Sequence, residues 1–257
     1  MPLLRKPLVD KIVSLVPREL VDKVPRDHLE TDTAFHRRRR VVAGVSLAGA
    51  ALLGKSLSTK PDSKEFYGLT LGVAATWTAG AFASGPLHLG WEQSHDAAGL
   101  RRPLMTPVAM GAAAFGSFYG AALVARRIPV LNRALTDILA FADQGSAPLV
   151  TLTTFANGAA EEVFFRGALY AAVGTQHPVT KSTAVYALAT TATRNPALVM
   201  ASGVMGTLFG LQRRASGGIQ APMLTHLTWS ALMLRFLPPL FRKTGADEVR
   251  EGAPPLV

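Results

Sequence analysis

Apolar runs of near-membrane length, cut by short polar or basic clusters, set the pattern of this chain. The first run is Val41–Leu57, with Lys55 near its end, where a long aliphatic stem lets the ammonium reach an interface. The loop Ser58–Glu65, containing Pro61, leads to a second run, Phe66–Gly85. A longer polar connection, Pro86–Pro103, separates it from a third, Leu104–Ala125. Each run approaches the roughly 20 apolar residues that cross a bilayer as a helix. Gly116 and Gly120 in the third have the small-xxx-small spacing that permits close helix packing.

Past Arg126 and Arg127 the pattern is less regular. Leu131–Ala142 is mostly apolar but holds Arg133 and Asp137, with Asp143 just beyond, and is short enough for an interfacial or partial segment. Pro148–Gly174 carries no charge except Glu161, Glu162 and Arg166. Lys181–Thr193 and Pro196–Leu211 follow, the second with Gly206 and Gly210. Gly218–Leu240, charged only at Arg235, is the last. The expected fold is all-α, a polytopic membrane bundle of about 7–8 helices by span length. Four regions are expected: a cytoplasmic basic arm over 1–40, N-terminal membrane helices over 41–130, a membrane core over 131–240, and a polar tail over 241–257. Pro7, Pro17 and Pro25 cut the arm into short pieces, and Leu8–Leu15 has an amphipathic look suited to a membrane surface.

Composition agrees with a membrane reading: 49% hydrophobic and 17% charged residues, the charges being clustered. Mean hydropathy is only +0.24, since the runs use Ala, Gly and Thr as much as Leu and the ends are polar. The net charge of +10 comes largely from clusters flanking apolar runs: Arg37–Arg40, Arg101 and Arg102, Arg126 and Arg127, Arg213 and Arg214, Arg242 and Lys243. Such flanks suit anionic headgroups and topology setting, so the lipid bilayer is the expected partner and the N-terminus is expected in the cytoplasm. No zinc-finger, ribonucleoprotein or basic-zipper pattern accompanies them, and no nucleic-acid partner is expected. Arg126 and Arg127 conflict with the positive-inside rule, because an odd number of crossings precedes them; one helix is therefore re-entrant or miscounted. The absence of cysteine excludes disulfides, thiolate metal sites and cysteine nucleophiles. The first twenty residues interleave charged and apolar positions, so no cleavable signal peptide is expected.

The chemistry concentrates in Asn157–Tyr170, NGAAEEVFFRGALY. A charge in mid-span costs about 2.5–3.5 kcal/mol on insertion scales, so these side chains are expected to face the protein interior and to pair. Glu162 and Arg166, four apart, share a helix face in the favourable acid-then-base order. Glu161 is turned about 100° from Glu162. It is left as a carboxylate without an assured counter-charge, able to serve as general base for water. The alternative is a closed ion-pair lock between helices.

Glu161-Glu162-x-x-x-Arg166-Gly167, inside an apolar span and followed by a histidine-bearing last helix, resembles the first motif of the CAAX protease and bacteriocin-processing (CPBP, or Abi) family. That family includes the type II CAAX prenyl endopeptidases. The resemblance covers roughly residues 148–240. It implies an all-helical membrane bundle and intramembrane endopeptidase activity on a peptide or protein substrate, described in the family as metal-dependent or glutamate-dependent. By resemblance Glu161 activates the attacking water, supported by Glu162 and Arg166. The family's second motif has a histidine four residues after an aromatic one; here Tyr186 is followed by Thr190. Its third motif has asparagine or a similar polar residue four after a histidine; here it is His226 and Ser230. Threonine neither takes up a proton near neutral pH nor binds metal as imidazole does. Glu161 and His226 fall short of the usual trio of protein ligands for catalytic zinc, so no cofactor is expected and a divalent metal lacks a sufficient ligand count. His226 and Ser230 share a helix face and are candidate oxyanion donors.

Other polar residues read more plainly. His226 also fits a hydrogen-bonded core histidine, and Trp229 fits packing or an interfacial anchor. His177 precedes a proline in a turn, without ligand spacing. His88, Glu92, His95 and Asp96 belong to the polar connection, and Asp137 and Asp143 to an interfacial face. Three functions stay open: an active endopeptidase, a catalytically weakened scaffold or partner-binding relative, and a transporter using the buried carboxylate. The last lacks a visible internal repeat.

Overall fold

The computed structural model describes residue 20, residues 30–94 and residues 99–241. The amphipathic piece Leu8–Leu15, His95, Asp96 and the tail from residue 242 lie outside the described residues. The described chain is almost wholly helical, as the apolar runs predict.

Helix α1, Asp32–Ser56, starts where Thr31 accepts a hydrogen bond from the Ala34 amide at 3.3 Å. Arg37–Arg40 thus fall inside the helix rather than before it, and Arg38 is buried. Arg38 is compensated: its guanidinium meets Glu30 at 2.8 Å and Ser84 Oγ at 3.2 Å. Helix α2, Lys64–Ser84, is capped by Ser63, whose Oγ accepts from the Phe66 amide at 3.0 Å. The polar connection then departs from the all-helical expectation. It forms a two-residue antiparallel ribbon, β1 Glu92–Gln93 and β2 Leu100–Arg101, tied by Arg101 Nε donating to Glu92 at 3.0 Å.

Helix α3 is Met105–Ala125 and α4 is Pro129–Asp143. Helix α5 runs as α-helix over Ala147–Glu161, passes through a π-helical stretch, Glu162–Leu169, and closes with the α turn Tyr170–Ala172. Helix α6 is Pro178–Thr190. Asn195 caps α7, Pro196–Ser216, by accepting from the amides of Ala197 and Leu198. Helix α8 is Gln220–Phe236.

Helix α4 is the segment that does not cross the bundle, while the charge conflict at Arg126 and Arg127 stands. Its middle meets the start of α7, where Asn195 Nδ2 donates to the Ala134 carbonyl at 2.7 Å. Just past its end, the Ser146 amide donates to Asp62 and to Tyr67 Oη in the α1–α2 corner. Both contacts are at the same end of the bundle, so α4 lies across that end instead of passing through. Arg126 and Arg127 stand there, opposite Arg37–Arg40, and Asp137 and Asp143 are exposed on α4 beside them.

Helix α3 alone, among the described residues, combines the length and hydropathy needed to cross a membrane, and just 11% of its most apolar window is buried. The opposite end of the bundle is fastened by backbone. The Ile219 and Gln220 amides donate to the carbonyls of His88 and Leu89, and the Trp91 amide to that of Ser216. His88 is accordingly half-buried in a segment pinned by its backbone rather than in a free polar loop.

The core centres on Trp77, fully buried on α2, with its ring 4.6 Å from Phe164 and 5.0 Å from Phe165 of α5. Gly49 of α1 makes room for it: a Cβ there would overlap the indole. Gly49→Ala should therefore overpack the contact and cost about 1–3 kcal/mol. The check is the apparent melting temperature of the detergent-solubilised protein against Gly44→Ala, a position with open space around it.

Candidate active site

The acidic–basic cluster forms at the junction between the α and π portions of α5. A π-helical stretch widens the turn, a feature that recurs at functional sites. Glu162 and Arg166 lie on one face of it and both are buried. Arg166 Nη1 donates to Glu162 Oε1 at 3.2 Å. Helix α8 brings His226 to the same oxygen: Nδ1 lies 2.8 Å from Glu162 Oε1, across 64 residues of sequence. A carboxylate only accepts, so Nδ1 carries the proton. One buried anion therefore holds a guanidinium and an imidazole together.

Helix α7 supports both donors. The Phe209 ring stacks on His226, centroids 4.9 Å apart at 22°, and lies 4.9 Å from the Arg166 guanidinium carbon. Gly206 keeps the neighbouring space small-walled; a Cβ there would stand 3.4 Å from Arg166 Nη2. Arg213, read from sequence as a headgroup-facing flank, is instead buried and donates from Nε to the Arg166 carbonyl at 2.7 Å.

Glu161 takes a different environment, as the helical rotation predicts. It is half-buried and accepts a 2.6 Å hydrogen bond from Tyr186 Oη of α6. Glu161, Tyr186, Thr190, Phe209, His226 and Trp229 border one cavity of about 160 Å³. Its lining extends to Thr193 and Leu198 at the α6–α7 turn, so it reaches from mid-bundle toward the end that α4 crosses.

The other expected residues stand as follows. Thr190 borders the cavity, but its hydroxyl donates to the Tyr186 carbonyl at 2.9 Å, within its own helix. Ser230 is buried one turn after His226 and is not among the cavity's bordering residues. Trp229 serves packing, edge-on to Phe118 at 5.2 Å, while also bordering the cavity. His177 is exposed in the α5–α6 turn, in left-handed conformation at φ +50°, away from the cluster. Sequence reasoning gave no role to Phe209, set Arg213 at a headgroup-facing flank, and used Tyr186 only as a motif position. A tyrosine hydroxyl in an apolar span must find a partner, and that signal pointed to Tyr186.

The fit of a metal ion follows from the donors. Glu162 Oε1 and His226 Nδ1 are committed to each other, and among the described residues no group of three His, Asp or Glu side chains is arranged to hold an ion. This donor set does not fit a catalytic zinc ion. What the arrangement offers is a carboxylate bordering a cavity beside an imidazole with one nitrogen fixed.

Comparison with known families agrees with the motif. Residues 143–232, from the end of α4 into α8, match the family model for Type II CAAX prenyl endopeptidase Rce1-like. No curated protein and no solved structure matches the chain. The segment that carries Glu161, Glu162, Arg166 and His226 is thus similar to the Rce1-like type II CAAX prenyl endopeptidase family over about a third of the chain.

Proposed function

We propose that this protein is a multi-pass membrane endopeptidase in which Glu161 activates water against a peptide carbonyl. The observation that carries the reading is the convergence of Glu161, and of His226 fixed by Glu162, on one interior cavity. Water beside Glu161 gives up a proton to the carboxylate as its oxygen adds to the peptide carbon. The charge that develops on the carbonyl oxygen is met by His226, which in its imidazolium form gives Nδ1–H to Glu162 and Nε2–H to the oxyanion. The proton held by Glu161 then passes to the leaving nitrogen as the C–N bond breaks, and the carboxylate returns to its starting state.

Embedding in a bilayer is supported by large apolar side chains exposed around the bundle, among them Leu47, Phe82, Val124, Leu188, Met200 and Val204. Such a belt is costly in water and ordinary in lipid. Arg37–Arg40, Arg101 and Arg102, and Arg213 and Arg214 share the end where α1 begins, which favours that end as cytoplasmic. The natural lack of cysteine makes single reporters clean. A cysteine replacing exposed Lys60 should react with an impermeant maleimide on intact cells, and one replacing exposed Gln93 only after permeabilisation. The reverse pattern would invert the topology.

A catalytically weakened relative, retaining the fold as a partner-binding scaffold, is the second reading. It is favoured by Thr190, whose hydroxyl is spent within α6, and by Ser230, absent from the cavity border. The readings part on one experiment. Glu161→Gln and His226→Ala should each abolish cleavage of membrane-reconstituted peptide substrates while the protein still inserts. Undiminished processing by both variants, or no processing of any peptide by the wild type, would remove the hydrolytic reading and leave the scaffold.

Arg166 matters for stability under either reading. Removing it strands a buried carboxylate, and the loss for breaking such a pair is about 3–5 kcal/mol. Arg166→Leu should show it as a large fall in melting temperature, partly recovered in the double variant with Glu162→Leu.

A further inference from the structure

Tyr186 stands where α6 crosses the motif helix, and its phenol makes the one hydrogen bond that Glu161 has among the described residues. The carboxylate can only accept, so the phenol is the donor, and 2.6 Å lies in the range of charge-assisted O–H···O⁻ bonds. The bond engages Oε2 alone, which leaves the second carboxylate oxygen for another partner. The ring is itself held in place. Phe165 packs against it with centroids 4.6 Å apart, and the Arg166 guanidinium carbon lies 4.6 Å from its centroid. Tyr186 also borders the cavity that Glu161 and His226 share. It therefore joins two parts of the cluster: its face meets the cation that neutralises Glu162, and its hydroxyl meets the carboxylate that lacks a salt-bridge partner.

We propose that Tyr186 is a positioning residue for Glu161, fixing the rotamer in which one carboxylate oxygen is occupied and the other is presented to water. This rests on the reading of Glu161 as the general base. Glu161 sits on the last α turn before the π-helical stretch and, among the described residues, has no ion pair within reach, so its geometry rests there on a single neutral donor. A base displaced by even an ångström loses much of its rate, on the order of 100-fold.

Phenylalanine separates the hydroxyl from the ring, because the contacts with Phe165 and Arg166 belong to the ring alone. In the full-length protein in lipid nanodiscs, with a fluorogenic peptide that the wild type cleaves, Tyr186→Phe should lower kcat by about 10- to 100-fold. KM should stay within about twofold, since the lost contact is not one to substrate. Melting temperature should be unchanged, which a structural role for the hydroxyl would not allow. A second readout needs no activity. The infrared carboxyl band that Glu161→Gln removes should shift in Tyr186→Phe. It should also shift when 3-fluorotyrosine, which keeps ring and hydroxyl, is placed at 186. An unmoved band in a folded protein overturns the proposal, as does a kcat within twofold of wild type. Full activity in Glu161→Gln would instead defeat the base assignment, and the band shift would still decide the Tyr186 contact.

Discussion

A single carboxylate oxygen, Glu162 Oε1, sets the arrangement of the polar centre. It sits with no solvent exposure and receives Arg166 Nη1 and His226 Nδ1 together. An isolated ion at this depth would be untenable, and any pair has to recover the cost of leaving water. Sharing one anion between two donors meets that demand and, at the same time, fastens α8 to α5. Phe209 from α7 then closes over both donors, stacked on the imidazole and set beside the guanidinium. Three helices are thereby locked around one charge, and the carboxylate next in sequence is left outside the lock.

The helical runs were legible because their apolar lengths and the polar breaks between them are one-dimensional facts. The Glu162–Arg166 pair was legible for the same reason: spacing of four on a helix decides it. Glu161's separate orientation also followed from helical rotation. Other features are products of tertiary packing and leave little trace in one dimension. The register that brings His226 to Glu162 depends on how α8 crosses α5; the resemblance of the motif suggested His226 near Glu161, and nothing paired it with Glu162. Arg213 looked like any basic flank of an apolar run, because nothing in sequence distinguishes a guanidinium facing headgroups from one folded back onto a carbonyl. Helix α4 could be suspected of lying flat from Arg133 and Asp137, yet its contact with Asn195 was beyond reach.

The departures at Thr190 and Ser230 bear on how the hydrolytic reading is weighed. Thr190 keeps its place on the cavity but turns its hydroxyl to its own helix, as threonine in apolar helices often does. The hydrogen bond that reaches Glu161 comes from the preceding turn instead, from Tyr186. Donor chemistry at the carboxylate thus survives the substitution in a neutral form, unable to take up a proton but able to orient one.

The π-helical stretch from Glu162 to Leu169 carries a further implication for how this segment can change over evolutionary time. Removing one residue within it would allow the chain to relax into ordinary α-helix, locally a more comfortable state. Everything on the far side would then turn by about 100° relative to Glu161 and Glu162. Phe164 and Phe165 against Trp77, and the carbonyl that Arg213 reaches, could not all keep their partners. Length in these eight residues is thus constrained as tightly as the identity of Glu162 and Arg166 within them, so natural variants should keep all eight positions.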